Sequence, residues 1–333
     1  MKAEFPSVPS IRLGGEVATV SPAADAGPSW QSRCFNRLFR LLGVKQQMAS
    51  ADAVHDWVAR LALRPVSHQP KGLGRGVMVT RKDEHGWPVY HTARTTDPGG
   101  CNYVMFLHGG GYINEIERAH WRFIGLLTRE AGVRCVVPIY PLAPDATAKL
   151  IVPRMGEILR RLMDDIAPAR LTLIGNSAGA GMALAAAQWL RHAGYRQPDA
   201  MVLISPGVNA VVNRPEQAAL AALDPILDIP GLLEVGRLYA GDLDVAHPYV
   251  SPLNGEFPGL APMIVFSGTH DLLYPDSVDL VAKARSAGVP VQFHLREGQP
   301  HNYAALPTPE GRQAREIILR TAALGSALDL PAP

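Results

Sequence analysis

The chain reads as an α/β protein built on a mostly parallel sheet with helices on both faces, and three observations predict this. The first is the stretch 171–187, LTLIGNSAGAGMALAAA: a short branched apolar run, a serine between glycines, then an alanine-rich run. That order is strand, sharp turn, helix. The second is the rhythm after residue 100, where apolar runs of strand length alternate with segments of helical periodicity. Crossovers of that length favour parallel neighbours buried on both faces. The third is residues 75–94, which read as a hairpin with Glu84-His85-Gly86 near its turn and could add an antiparallel edge.

Taken in order, residues 1–30 are rich in Pro, Ser, Gly and Ala and read as an irregular leader. Two helical patterns occupy 31–70. Phe35, Leu38, Phe39 and Leu42 fall at i, i+3, i+4, i+7, and Val54, Trp57, Val58 and Leu61 repeat that spacing, with Ser50 as a cap. Both apolar stripes are expected to face the core; Arg37, Arg40 and Lys45 nearby keep a membrane contact as the alternative. Strands are expected at 77–80, 89–92, 103–107, 133–139, 171–174, 200–205, 262–267 and 291–295, with a turn at 97–100. Helices are expected at 118–129, about 151–162, from Ala178 onward, and at 229–239, 276–287 and 310–324. Residues 207–260 read as irregular apart from 229–239, and an insertion of that length after a strand is a plausible cover for a site. The sheet domain therefore spans 71–330, with an insertion at about 207–245.

Composition narrows the function classes. The chain has 333 residues, enough for one large α/β domain with a lid. Hydrophobic residues make up 47% and charged residues 19%, a globular composition that is poor in charge. The formal net charge of +2 does not suggest a nucleic-acid binder. No apolar run is long enough for a membrane span, and the first twenty residues lack an apolar signal region, so a cytoplasmic protein without stable membrane insertion is expected. Cys34, Cys101 and Cys135 form no C-x-x-C, which argues against a disulfide scaffold or cysteine zinc site; Cys101 and Cys135 are expected to be buried thiols.

The chemistry concentrates on loops that follow strands. Gly175-Asn176-Ser177-Ala178-Gly179 is G-x-S-x-G, a pattern that places a serine hydroxyl on a strained strand-to-helix turn, beside the free N–H groups of a helix start. A nucleophilic serine needs a base, an acid that orients the base, and donors for an oxyanion. His108-Gly109-Gly110-Gly111 follows an expected strand, and its glycines let backbone N–H groups approach a substrate oxygen. Gly109, Gly110 and Ala178 are the expected donors. His108 more naturally orders this loop than serves as base. Asp271, after the strand at 262–267, is the expected acid, and His301, after the last strand, the expected base. The rivals are Asp276, which reads as a helix-start residue, His270, expected to face away, and His294, inside a strand. No metal-ligand spacing or nucleotide-binding loop accompanies these residues, so neither metal nor cofactor is expected.

Five motifs together resemble the hormone-sensitive-lipase-like branch of the α/β-hydrolases, the bacterial family IV esterases: HGGGY at 108–112, YPLAPD at 140–145, GNSAG at 175–179, GTHDLLYPD at 268–276 and GQPHNY at 298–303. The resemblance covers roughly residues 75–325. It implies the α/β-hydrolase fold, a mostly parallel eight-stranded sheet with helices on both faces and a helical lid from residues 31–70 and 207–245. It implies Ser177, Asp271 and His301 as triad, with Gly109, Gly110 and Ala178 as oxyanion hole. Asn176 and Asp145 depart from the family's more common acidic pair, GDSAG and the Pro-Glu that ends its second motif. Tyr112, Asn176, Phe35, Phe39 and Trp57 are the expected substrate pocket. The implied activity is a serine carboxylesterase acting on a small-molecule ester of short to medium acyl chain. Alternatives are a deacetylase of bulky or sterol-like acetyl esters, toward which HWRF at 120–123 points, and a non-catalytic small-molecule receptor like the plant gibberellin receptors, which have lost the histidine retained here as His301. The resemblance implies a monomer or homodimer, the last strand being the edge through which two copies could pair.

Overall fold

The computed structural model describes residues 27–327 except 65, 67, 98, 100 and 101. Most of the expected leader, part of the turn at 97–100, Cys101 and the end of the sheet domain lie outside the described residues. Among the described residues, one sheet holds eight strands: β1 (Val77–Glu84), β2 (Trp87–Arg94), β3 (Tyr103–Leu107), β4 (Arg134–Pro138), β5 (Leu171–Asn176), β6 (Ala200–Ile204), β7 (Met263–His270) and β8 (Val291–Pro300). Their spatial order is β1-β2-β4-β3-β5-β6-β7-β8. β1 pairs with β2 and β2 with β4 antiparallel; every other pairing is parallel. This is the α/β-hydrolase fold, with the hairpin as its antiparallel edge.

The central strands are apolar on both sides, and their alternation divides the core into two layers. Met105, Leu107, Leu173, Met201, Leu203 and Val265 pack against α4 (Ala148–Ile166), α5 (Ala178–His192) and α8 (Tyr274–Ser286). Val104, Phe106, Ile174, Val202, Ile264 and Phe266 pack against α3 (Arg118–Leu126) and α9 (Pro309–Leu324). The helix expected over 118–129 closes with a π turn at Leu127–Ala131, ended by Gly132 in the left-handed region. Cys135 is buried and Cys34 exposed.

Among the described residues, four helices lie outside this sandwich: α1 (Trp30–Leu41), α2 (Ala51–Ala62), α6 (Pro215–Leu223) and α7 (Ile229–Ala240). The α6 segment was expected to be irregular; proline at its first turn and the run Gln217-Ala218-Ala219-Leu220 carry it as a helix. α2 packs against α7, and α7 packs on the 3-10 turn Val44–Met48, an approach that Gly231 permits because a side chain there would strike Met48. Ser50 caps α2 by accepting from the N–H of Ala53 at 3.0 Å. None of the described helices is long and apolar enough to cross a membrane.

The first helix corrects an expectation. Of its expected stripe, Leu38 and Leu42 are 45% and 67% exposed and Phe35 and Phe39 only half-buried, whereas the buried residues of α1 are Ser32 and Asn36. The reason is polar. The end of β8 offers acceptors that a leucine could not use: Ser32 Oγ donates to Gln299 Oε1 at 3.0 Å and Asn36 Nδ2 to the Gly298 carbonyl at 3.1 Å. Glu310, on α9, accepts from the N–H and hydroxyl of Ser29 and from the hydroxyl of Ser32. Phe35 and Phe39 border this seam and are half-buried. The helix is thus fastened by a hydrogen-bonded seam to the strand end that precedes His301.

Asn36→Leu should therefore lower stability by about 1–3 kcal/mol, because it leaves the Gly298 carbonyl unpaired. Leu41→Gln should change it by less than about 0.5 kcal/mol, as expected of an exposed position. Urea midpoints of the two variants check the contrast.

Candidate active site

Ser177 sits between β5 and α5 with φ 52° and ψ −123°. This is a sterically costly backbone for a residue with a Cβ, and it persists only where its surroundings hold it. The Ser177 N–H donates to the Ile204 carbonyl at 2.8 Å, and its carbonyl accepts from Ala180, Gly181 and Gly207. Gly175 and Gly179 make the crossing possible. A Cβ on Gly175 would collide with the Gly179 carbonyl, and one on Gly179 with the carbonyls of Leu107 and His108. The start of α5 therefore lies directly against the end of β3.

The three polar residues expected from the sequence meet here. His301 Nε2 lies 2.8 Å from Ser177 Oγ. On its other side, His301 Nδ1 lies 3.0 and 3.1 Å from the two oxygens of Asp271. Asp271 is fully buried and His301 nearly so. Burial pulls the imidazole pKa down, but the charge and hydrogen bond of Asp271, with a further contribution from Asp224, outweigh it, and the net direction is upward. The loop is fixed from behind: the N–H of Asn302, itself left-handed at φ 59°, donates to Ser205 Oγ at 2.9 Å.

The rival residues are placed elsewhere. His108 is buried and stacked on Tyr140 with centroids 4.3 Å apart, and burial drives its pKa down to about 3. Its Nδ1 bonds to the Gly109 carbonyl at 2.8 Å, while Tyr140 donates to the His108 carbonyl at 2.7 Å. It orders the glycine loop as a neutral ring. His294 stacks on Phe266 within the sheet, and burial lowers its pKa to about 4. Asp276 is held by Asn209 and Gln217, and burial raises its pKa to about 6. Among the described residues, no group of three or more His, Cys, Asp or Glu side chains is gathered to hold a metal.

A cavity of about 470 Å³ opens over Ser177 and His301. Its apolar lining includes Val44, Met48, Trp57, Leu227, Leu232, Val235, Phe106, Phe123, Ile204 and Ala305, and its polar lining Asn114, Glu115, Glu117 and His120. Of the expected pocket residues, Trp57 and Asn176 line it. Tyr112 does not: it is stacked flat on Tyr239, and its hydroxyl lies against Gly181. Phe39 faces a separate cleft beside Arg40, Lys45 and Ala221, and Phe35 packs on Phe39 at 6.1 Å between centroids. The polar seam that turns α1 around sends both phenylalanines away from the serine.

Gly109 also departs from expectation. Its N–H already donates to Asn176 Oδ1 at 2.9 Å. Gly110 and Gly111 are the glycines that line the cavity, at φ 125° and 61°. One buried carboxylate was not singled out from the sequence. Asp224 is 2% exposed; its Oδ1 accepts from the N–H groups of Ile226 and Leu227 at 2.7 and 2.9 Å, and its Oδ2 from Leu272 at 2.8 Å. The only local signal was a charged residue before proline inside LAALDPIL.

Known proteins share this architecture. A family model described as the alpha/beta hydrolase fold matches residues 104–305. A triacylglycerol lipase of Mycobacterium tuberculosis is 34% identical over 240 residues, 72% of this chain; the match spans only 49% of that protein, about half its length. An acetyl-hydrolase of Streptomyces hygroscopicus is 32% identical over 225 residues, 66% of this chain and 75% of that protein. The crystal structure of an esterase from the bacterial hormone-sensitive lipase family superposes with a TM-score of 0.73 at 24% identity, covering 89% of this chain and 99% of the other.

Asn176 gives the site a testable feature of its own. Asn176→Asp keeps the acceptor for Gly109 and should leave turnover of a small ester within about threefold of the parent. Asn176→Ala frees the glycine loop and should lower kcat roughly tenfold, the scale of one lost positioning hydrogen bond. Steady-state rates of the two variants compare them directly.

Proposed function

Because the chain belongs to the α/β-hydrolase fold family, with the hormone-sensitive-lipase-like esterases and lipases, we propose that it is a serine carboxylesterase working through an acyl-enzyme. The observation that carries the reading is the unbroken hydrogen-bonded line from Asp271 through His301 to Ser177 at the floor of an apolar cavity. Ser177 Oγ attacks the ester carbonyl while His301 Nε2 takes its proton. Asp271 holds the imidazole with Nδ1 protonated and stabilises the imidazolium as it forms. The tetrahedral oxyanion is received by the N–H groups of Gly110, Gly111 and Ala178. These replace the set that includes Gly109, whose N–H is engaged by Asn176. His301 returns the proton to the departing alcohol, then activates a water that releases the acid.

Helices α1, α2, α6 and α7, with the turn at 44–48, act as the lid. The substrate is a small-molecule ester of short to medium acyl chain, in keeping with an apolar cavity of about 470 Å³. The likeness to an acetyl-hydrolase favours a second, narrower reading: removal of an acetyl group from a bulkier alcohol. A substrate panel that varies acyl and alcohol separately divides the two.

Ser177→Ala should lower turnover of p-nitrophenyl esters by at least about 10⁴-fold with the fold intact, and an organophosphate should label the parent at Ser177 alone. Turnover retained in the pure variant, or a parent that binds ester without being labelled, would sink the enzyme reading in favour of a binding protein.

The base must be neutral to act. Since the His301 pKa is raised, kcat/KM should rise with pH through a midpoint above the ordinary histidine value of about 6.5, and be lost on acidification below it. A pH–rate profile locates that midpoint; one well below 6.5 would contradict the assignment of His301.

A further inference from the structure

We propose that Asp224 is a positioning residue for this reaction, a second carboxylate that locks the acid loop to the cavity wall and adds its negative charge behind His301. The proposal rests on the esterase reading above and deepens it.

The geometry is a shared turn. After Asp271 the chain presents two successive N–H groups. That of Leu273 donates to Asp271 Oδ1 at 2.9 Å, and that of Leu272 donates to Asp224 Oδ2 at 2.8 Å. Each carboxylate thus holds one rung of the same backbone turn. Asp224 Oδ1 meanwhile takes the N–H groups of Ile226 and Leu227, and both of these residues line the cavity. One buried side chain therefore joins the segment that meets the substrate to the loop that carries the catalytic acid. Gln217, from α6, closes the arrangement by donating to both the Leu272 carbonyl and Asp276.

A carboxylate is expensive to bury, and three N–H donors are what make it tolerable. An apolar residue in its place would leave the N–H groups of Ile226, Leu227 and Leu272 without acceptors, so the side chain is needed to hold these two segments together. The charged groups around it define what its charge adds. Asp271 and His301 act on it from one side, Gln217 ties Asp276 to the Leu272 carbonyl nearby, and Arg40 and Lys45 reach the carbonyls of Leu223 and Ala221 from outside. Burial first, then the nearby Asp271, pushes the Asp224 pKa up to about 6, while His301 pulls the other way. Above that pH the anion supports the imidazolium that forms at His301 in the transition state.

Two variants separate charge from geometry. Asp224→Asn keeps the size and an acceptor for Ile226 and Leu227, loses the charge, and turns an NH2 towards the Leu272 N–H in place of Oδ2. Its kcat should fall roughly tenfold. The midpoint of its kcat/KM profile should move to lower pH by about half a unit, because an imidazolium without its second anion gives up its proton more easily. Asp224→Glu keeps the charge and displaces the carboxylate. Its kcat should fall with KM within about threefold and the midpoint unmoved. A fall in kcat for the Asn variant with an unmoved midpoint would overturn the electrostatic role, and parent-like kinetics in both variants would overturn the proposal entirely. If the Asn variant does not accumulate folded, the Glu variant decides: reduced kcat supports the positioning role and parent kcat overturns it. The parent and Ser177→Ala are assayed alongside. A parent without Ser177-dependent turnover overturns the esterase reading and this proposal with it, whereas an active parent with indifferent Asp224 variants overturns only the latter.

Discussion

At Ser177 the backbone is held at φ 52° and ψ −123°, and most of the architecture around the site follows from what is needed to keep it there. A lone strand-to-helix turn would relax out of this region, since the conformation costs on the order of 1–3 kcal/mol. Here it is pinned from the neighbouring strand by the Ile204 carbonyl and from below by the contact of Gly179 with the end of β3. The parallel order of β3, β5 and β6 supplies both anchors, because it brings their carboxyl ends to the same edge. The strain is affordable because the sheet around it is buried on both faces. It also fixes the direction of Oγ before any substrate arrives.

The charges are organised on the same principle of advance placement. His301 is buried, where an imidazolium is unfavourable, yet in the proposed reaction it becomes one. Asp271 lies at hydrogen-bond distance on the far side of the ring, and Asp224 lies behind the same loop. Asp271 is held by the N–H of Leu273 and by His301, and Asp224 by three backbone N–H groups, so both carboxylates are fixed in place by donors that do not have to reorganise. The glycine loop is held without charge: burial keeps His108 neutral, and the ring fixes the loop by stacking on Tyr140 and bonding to the Gly109 carbonyl.

What could be read from the sequence was whatever is encoded locally. The elbow glycines, the HGGG run, Asp271 and His301 each sit at the end of a recognisable strand, and the strand rhythm predicted the sheet and its antiparallel hairpin. What could not be read depended on partners far away in the chain. The periodicity of α1 was real, but Gln299, Gly298 and Glu310 decided which face turned inward, and they lie more than 250 residues on. That one choice also moved Phe35 and Phe39 off the cavity. Gly109 and Gly110 are equivalent as letters; only the Asn176 side chain distinguishes them, by taking the N–H of one. Asp224 carried no signal beyond its place before a proline, because its ligands are backbone groups that any sequence possesses.

Asn176 ties these threads together. The same residue lines the cavity and takes the N–H of Gly109, which leaves that N–H engaged within the protein. An aspartate there would accept the same hydrogen bond, so the N–H of Gly109 is engaged with either residue. The neutral amide does this without adding a negative charge beside Ser177, at a contact between the glycine loop and the turn that carries the serine.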